Sequence, residues 1–175
     1  LGGSQGAKIF GEMMPEVIKM LTSSGFKIKV NQQCTKEQKN GISDFYNKNN
    51  IENNVFEFNN NILELISTSD LAISRCGAST TAELVHTLTP FIAIPLPDSI
   101  DNHQYLNAKY YEKKGCCLIL EQEKLNTINL FNLLMETIKN KNKLDDMRTN
   151  MKKNYNLDAY KNIENEVESL LKNEN

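Results

Sequence analysis

The sequence predicts an α/β fold in which a parallel sheet carries helices on both faces. Short apolar segments with strand character alternate with helical segments along the whole chain. The run Phe-Ile-Ala-Ile at residues 91–94 is apolar throughout, which is typical of a strand that is buried on both faces of a parallel sheet. A length of 175 residues fits one domain with a substantial core.

The first predicted helix covers residues 7–23, where apolar side chains such as Met13 and Val17 recur at the helical period. Pro15 falls inside this helix and is expected to kink or restart it. Gly25 is expected to end it.

The other elements follow from the same patterns. Strands are predicted at residues 26–30, 54–58, 70–74, 91–94 and 116–120. Helices are predicted at residues 35–49, 61–67, 79–88 and 104–114, and from about residue 125 onward with joints near residues 143 and 156.

The charge of the chain argues against nucleic acid as a partner. The formal net charge is −2 and the sequence pI is about 5.8, whereas binding to phosphates along a backbone requires a basic excess. The mildly basic stretch at residues 139–153 also contains acidic residues, which favours a solvated helix face.

The four cysteines include no pair with C-x-x-C spacing, so neither a disulfide framework nor a zinc site is expected. Reduced thiols in a cytosolic compartment are the simple interpretation. The sequence shows no run of about 20 apolar residues and no signal peptide. The glycine-rich residues 2–6 come directly after Leu1, although loops of this kind normally follow a buried strand. We therefore expect an upstream part of the protein to be absent from this sequence.

Three polar loops are predicted at the carboxyl ends of strands, where open α/β sheets bind ligands. The first loop is Gly-Gly-Ser-Gln-Gly-Ala at residues 2–7. It leads into a helix whose free N–H groups could receive a phosphate. Its spacing is neither the dinucleotide fingerprint nor a P-loop, so a tight strand-to-helix turn is an equal alternative.

The second loop runs from residue 74 to Glu83 and combines Gly77 with the hydroxyl residues Ser79, Thr80 and Thr81. Gly77 is expected to permit an unusual backbone turn, and the hydroxyls to form a second anion cradle at a helix start. A carboxylate such as Glu83 could hold ribose hydroxyls. The alternative is that Ser79 caps the helix and Glu83 completes the cap.

The third loop, residues 98–104, is dense in hydrogen-bonding side chains, which suits a sugar. A single histidine such as His103 is more often structural than catalytic. Asp98 and Asp101 in one loop are weak evidence for a metal, and Asp101 is an alternative cap for the following helix.

Taken together and in this order, the loops resemble the MurG family of glycosyltransferases. The segments that carry the resemblance are residues 2–7, residues 74–83, and Asn-His-Gln at residues 102–104 with Asn-Ala at residues 107–108. The resemblance implies the C-terminal lobe of a two-lobed GT-B fold, with Rossmann-like architecture. Residues 1–175 would then be the nucleotide-sugar-binding domain, with a C-terminal helix at about residues 156–175, and the N-terminal acceptor domain would be absent.

The resemblance also implies a set of donor-binding residues. They are Ser4, Gln5, Asn59, Ala78, Ser79, Thr80, Thr81, Ala82, Glu83, His103 and Gln104. Ser4 and the adjacent backbone would contact the diphosphate, and residues 78–81 would offer helix N-terminal donors to a phosphate. Glu83 would hold the ribose hydroxyls, and Gln104, with His103 beside it, would bind the N-acetylglucosamine. The backbone near Asn59 would read the uracil edge.

The function implied is transfer of N-acetylglucosamine from UDP-N-acetylglucosamine to an undecaprenyl-pyrophosphoryl-muramoyl-pentapeptide in peptidoglycan synthesis. The missing lobe would bind the acceptor. It would also make the peripheral contact with the cytoplasmic face of the bacterial inner membrane. That lobe would also supply the catalytic base. No catalytic residue, metal or cofactor is expected in this chain.

Three alternatives remain at this stage. The chain could be the donor-binding subunit of a split lipid-linked N-acetylglucosaminyltransferase, although residues 2–7 favour the bacterial enzyme. It could belong to a sugar-nucleotide 2-epimerase, which would need more acid–base residues. It could also be a non-catalytic nucleotide-binding domain.

One departure from the family pattern is Asn31-Gln32, where the family often has His-Gln.

Overall fold

The computed structural model describes residue 1 and residues 3–154, except for the side chains of residues 3–7 and 141. The helices are α1 (Gly3–Ser23), α2 (Lys36–Lys48), α3 (Ile62–Ser67), α4 (Ala78–His86), α5 (His103–Lys113), α6 (Thr127–Lys139) and α7 (Lys141–Asn154). The strands are β1 (Lys29–Gln33), β2 (Glu52–Phe56), β3 (Ala72–Ser74), β4 (Phe91–Ala93) and β5 (Cys117–Ile119). Short 3₁₀ turns occupy Ile100–Asn102 and Gln122–Lys124. The predicted alternation of strands and helices is confirmed.

All strand pairs in the described part of the chain are parallel, as predicted. β1 pairs with β2, and β3, β4 and β5 form a second sheet in that order. Leu1 adds a single rung to β3, because its amino group donates to the Ile73 carbonyl (2.6 Å) and its carbonyl accepts from the Arg75 N–H (3.0 Å). A groove of about 660 Å³ lies between the edges of β1 and β3.

Strand β4 shows directly that the sheet is covered on both faces. Phe91 and Ala93 contribute to one apolar core, whereas Ile92 and Ile94 contribute to the other. Successive side chains of a strand point to opposite faces, so the two cores lie on opposite sides of the sheet. All four residues are fully buried, which explains why the segment is apolar throughout.

Each core is closed by helices. The core on the Ile92 side includes Val17 and Leu21 of α1 and Leu130 of α6. The core on the Phe91 side includes Leu84 of α4 and Ala108 of α5. The helices therefore pack on both faces of the parallel sheet, as the sequence predicts.

Several predicted boundaries are wrong, and the structure explains the first of them. The strand expected at residues 26–30 begins only at Lys29, because the end of α1 uses Phe26 in its cap. The Gly25 N–H donates to the Thr22 carbonyl and the Phe26 N–H to the Leu21 carbonyl, with Gly25 at φ 94°. This is the Schellman arrangement, in which glycine supplies the left-handed residue.

The start of α1 also differs from the prediction. The helix begins at Gly3, so residues 3–6 form its first turn, and the loop expected at residues 2–7 is not present over residues 3–7. The helix also continues through Pro15, where a kink or restart was expected. Met14, Val17 and Ile18 around the proline are buried, so core packing sustains the helix where local propensity disfavours it.

Further along the chain the differences are small. β2 begins and ends two residues earlier than predicted, and the joint expected near residue 143 lies at Asn140, between α6 and α7. The helix predicted at about residues 156–175 lies outside the described residues. No helix in the described part of the chain combines the length and the apolar character that a bilayer crossing requires.

All four cysteines are buried as free thiols. Burial raises the pKa of each thiol, and that of Cys76 rises to about 12. The thiols therefore remain protonated at neutral pH.

A buried polar network joins α1, α2 and β1 near the core on the Ile92 side. The Tyr46 hydroxyl of α2 donates to Gln32 Oε1 of β1, and Gln32 Nε2 donates to the Phe10 carbonyl of α1 (3.2 Å). Tyr46 is fully buried and burial raises its pKa, so the phenol stays protonated and remains a donor.

We expect Tyr46→Phe to lower the free energy of unfolding by about 1–3 kcal/mol, because Gln32 Oε1 then loses its partner inside the core. Urea denaturation followed by circular dichroism measures this. The control is Tyr110→Phe on the exposed face of α5, where we expect a change within about 0.5 kcal/mol. Equal stabilities for the two variants would contradict the role given to the network.

Candidate functional site

The first turn of α1 lies beside the carboxyl end of β3. The main-chain bonds between Leu1 and β3 place the entry to α1 there. Ser4 and Gln5, predicted to contact a diphosphate, are in this first turn. The first N–H groups of a helix have no partner within the helix and carry the positive end of its dipole. The predicted contact of Ser4 and Gln5 with a diphosphate therefore concerns a helix start and not a loop, and it stays a prediction.

The turn between β3 and α4 provides a second helix start. The N-cap is Gly77, and α4 begins at Ala78, so the alternative in which Ser79 caps the helix is wrong. The unusual backbone expected at Gly77 is also absent, because its φ is −62° and its ψ is 150°. A Cβ on Gly77 would meet no atom within 4 Å, so the space over this turn is open.

The predicted hydroxyl cradle is only partly available. Thr81 is buried, and its hydroxyl lies within hydrogen-bond distance of the Gly77 and Ala78 carbonyls (3.1 Å each), so its single proton is used within the helix. Ser79 is exposed and Thr80 is partly exposed, in the same turn as the exposed Ala78. Two of the three hydroxyls are therefore accessible beside the free N–H groups.

Helix α5 holds the β3–α4 turn in place through two side-chain amides. Gln104 Oε1 accepts from the backbone N–H groups of Cys76 (3.2 Å) and Leu96 (3.1 Å). Asn107 Nδ2 donates to the Cys76 carbonyl (3.0 Å). The second and third predicted loops are thus brought together by direct hydrogen bonds. Since the oxygen of Gln104 is used twice, its Nε2 donors are the part of this amide left for a ligand.

The start of α5 is built from two left-handed residues. Asp101 and Asn102 have φ values of 51° and 55°, and Asn102 is the N-cap, so the expectation that Asp101 caps the helix is wrong. Asn and Asp tolerate this conformation better than other non-glycine residues. His103 is exposed, and its Nδ1 lies 2.7 Å from the Ile100 carbonyl, so its other ring nitrogen faces outward.

Three further predicted residues lie outside these helix starts, two later in α4 and one after β2. Glu83 is partly exposed, one and a half turns into α4, and its carboxylate makes no ion pair within the described residues. Ala82 beside it is exposed. Asn59 follows β2, and its Oδ1 accepts from the Asn61 N–H (2.7 Å), so its side chain closes a local turn before α3. Asn59 thus lies in the loop after the two-stranded sheet, three residues beyond the end of β2.

A cavity of about 270 Å³ borders this edge, lined by Pro95, Leu96, Pro97, Asn102, Tyr105 and residues 121–123. The groove between β1 and β3 is larger, but its walls are mainly apolar core side chains. We place the candidate site at the carboxyl edge, because polar groups converge there. Among the described residues, no group of three His, Cys, Asp or Glu side chains is arranged to hold a metal ion.

Three residues at this edge have no role predicted from the sequence, namely Arg75, Asn107 and Gln122. The Arg75 guanidinium donates to the Ile94 and Pro95 carbonyls and to Gln122 Oε1. A charged residue directly after the apolar strand β3 was the signal that could have identified Arg75. No local pattern marks Gln122, which reaches the site only through the fold.

Comparison with known proteins agrees with this architecture. The family model described as the glycosyltransferase family 28 C-terminal domain matches residues 1–163. The crystal structure of MurG from Acinetobacter baumannii superposes with a TM-score of 0.79 at 26% identity, covering 97% of this chain and 48% of that one.

Curated relatives match over the full chain. One from Pelagibacter ubique is 38% identical over 175 residues, and one from Rickettsia bellii is 37% identical over 172 residues. Both are named UDP-N-acetylglucosamine–N-acetylmuramyl-(pentapeptide) pyrophosphoryl-undecaprenol N-acetylglucosamine transferase. These matches cover 100% and 97% of this chain but 49% and 48% of the relatives, so the chain spans about half their length.

The match over most of the chain, together with the arrangement of the carboxyl edge, shows that the protein belongs to the glycosyltransferase family 28 C-terminal domain family.

Proposed function

We propose that this chain is the donor-binding half of an N-acetylglucosaminyltransferase and holds UDP-N-acetylglucosamine at the carboxyl edge of β3 and β4. The observation that carries the proposal is the pair of helix starts, α1 and α4, that flank this edge, with the second held in place by Gln104 and Asn107. The names of the relatives support the choice of donor and of reaction.

The diphosphate lies across the first turns of α1 and α4 in this proposal. Backbone N–H groups and the helix dipoles favour an anion there, and Ser79 and Thr80 add hydroxyl donors. Transfer of the sugar breaks the bond to the diphosphate oxygen, so negative charge grows on the leaving UDP. Groups already oriented toward that charge stabilise the transition state without a metal.

The sugar and the ribose take the remaining polar groups. Gln104 donates from Nε2 to hydroxyls of the N-acetylglucosamine, with His103 beside it. Glu83, whose carboxylate has no ionic partner in the described part of the chain, accepts from the ribose hydroxyls. The backbone near Asn59 meets the uracil.

The acceptor in this proposal is the undecaprenyl-pyrophosphoryl-muramoyl-pentapeptide, bound by a second lobe at the cytoplasmic face of the membrane. That lobe also supplies the base that deprotonates the attacking hydroxyl. The described residues contribute donor contacts, so the chain alone is expected to bind donor without transferring the sugar.

We expect Glu83→Ala to weaken binding of UDP-N-acetylglucosamine by roughly tenfold or more, because hydrogen bonds to a charged group contribute about 1.5–3 kcal/mol. Isothermal titration calorimetry with UDP-N-acetylglucosamine and GDP-mannose, with and without magnesium, measures this. Wild-type binding should be selective for uridine and independent of the metal.

The matched control is Glu136→Ala, an exposed glutamate near the end of α6, which should leave the affinity unchanged. Absence of binding to the folded wild-type chain at millimolar donor would contradict the proposal. Equal losses in both variants would contradict the role of Glu83.

The two roles of Gln104 are separable by substitution. Gln104→Glu keeps an oxygen for the Cys76 and Leu96 N–H groups but loses the amide donor. We expect near-native stability and weaker binding of UDP-N-acetylglucosamine relative to UDP. Gln104→Leu leaves both N–H groups without their acceptor and should lower the free energy of unfolding by about 1–3 kcal/mol, because the Cys76 N–H is buried.

Thermal denaturation and calorimetry with both ligands test this pair. UDP serves as the internal control, because any repulsion between the introduced carboxylate and the diphosphate affects both ligands. An unchanged ratio of affinities in Gln104→Glu would show that the amide does not bind the sugar.

A further inference from the structure

Arg75 is a buried cation beside the proposed donor site, between β3 and α4. The residue is 7% exposed. Nη1 donates to the carbonyls of Ile94 (3.1 Å) and Pro95 (3.3 Å), and Nη2 donates to Gln122 Oε1 (2.6 Å). All three acceptors are neutral. Burial lowers the pKa of Arg75, but a guanidinium stays protonated in proteins, so a full positive charge remains here.

No carboxylate among the described residues forms an ion pair with Arg75. The Cys76 thiol also interacts with it electrostatically. Burial raises the pKa of this thiol to about 12, so it is uncharged at pH 7 and does not neutralise Arg75.

Arg75 is close in sequence to the start of α4 and close in space to α1. Arg75 follows β3 directly and precedes the first residue of α4 by three positions. Its guanidinium carbon lies 5.5 Å from the centre of the Phe10 ring in α1. Phe10 is seven residues beyond Gly3, which corresponds to about 10 Å along a helix.

A buried charge without a counterion is costly, and ionisable groups with perturbed pKa values cluster at functional sites. The Nε atom of Arg75 and the neighbouring Ser74 hydroxyl are also buried without a hydrogen-bond partner among the described residues. The local structure therefore holds a desolvated positive charge three residues before the start of α4 and beside Phe10 of α1.

We propose that Arg75 is a positioning residue for the diphosphate, whose uncompensated charge favours the anion at the two helix starts without touching it. This inference rests on the proposed function. At about 10 Å and an effective dielectric constant of about 20, one charge contributes roughly tenfold in affinity for each unit of ligand charge. A role confined to holding the fold would weaken charged and uncharged ligands alike.

The test compares uridine with UDP. The full chain is titrated with each ligand by NMR, as wild type, Arg75→Met and Arg75→Lys, with circular dichroism confirming the fold. We expect Arg75→Met to reduce the preference for UDP over uridine by roughly tenfold or more, and Arg75→Lys to retain most of it. The control is Arg148→Met in α7, a partly exposed cation that pairs with Asp145 and should not change the preference.

If Arg75→Met does not fold, Arg75→Gln replaces it, because the amide keeps one donor for the β4 carbonyls without a charge. A preference that changes by less than about twofold in the folded neutral variant would overturn the role of Arg75 and leave the proposed function standing. Failure of the folded wild-type chain to bind UDP would overturn the proposed function, and this inference with it.

Discussion

The candidate site depends on how the peptide groups on either side of Cys76 are held. Cys76 is fully buried, so its N–H and carbonyl cannot turn to water and must bond within the protein. Gln104 and Asn107, one helical turn apart on α5, satisfy them. Because Gln104 also accepts from Leu96, one side chain sets the β3–α4 turn and the loop after β4 together. The direction in which α4 presents its first N–H groups follows from these bonds.

The same edge concentrates positive potential in a chain whose net charge is −2. Two helix starts and the guanidinium of Arg75 lie there, and described acidic residues such as Glu83 make no ion pair with that cation. Net charge predicts poor binding to long polyanions, and it says nothing about one diphosphate. The local arrangement of dipoles and one buried charge is therefore what suits the edge to a nucleotide sugar.

The sequence predicted the fold well where a pattern repeats over neighbouring residues. The apolar run in β4 identified a strand covered on both faces, and the order of elements identified the parallel sheet. It failed where core packing outweighs local preference, as at Pro15, through which α1 continues beside buried Met14 and Val17. It also failed at the glycine-rich start of α1, which is helical although glycine disfavours helices. It also assigned Gln104 to the sugar without its bonds to Cys76, because a contact between residues 28 positions apart leaves no local signal. Serine is a residue type that favours the N-cap, which made Ser79 an alternative cap, but α4 starts at Ala78 and its N-cap is Gly77.

The central claim is that a uridine-diphosphate sugar binds where α1, α4 and the start of α5 meet. A crystal structure of the chain with UDP-N-acetylglucosamine tests it most directly. The account predicts the diphosphate against the first-turn N–H groups of α1 and α4, the sugar within reach of Gln104 Nε2, and the ribose at Glu83. A ligand bound instead in the apolar groove between β1 and β3, or away from both helix starts, would contradict it.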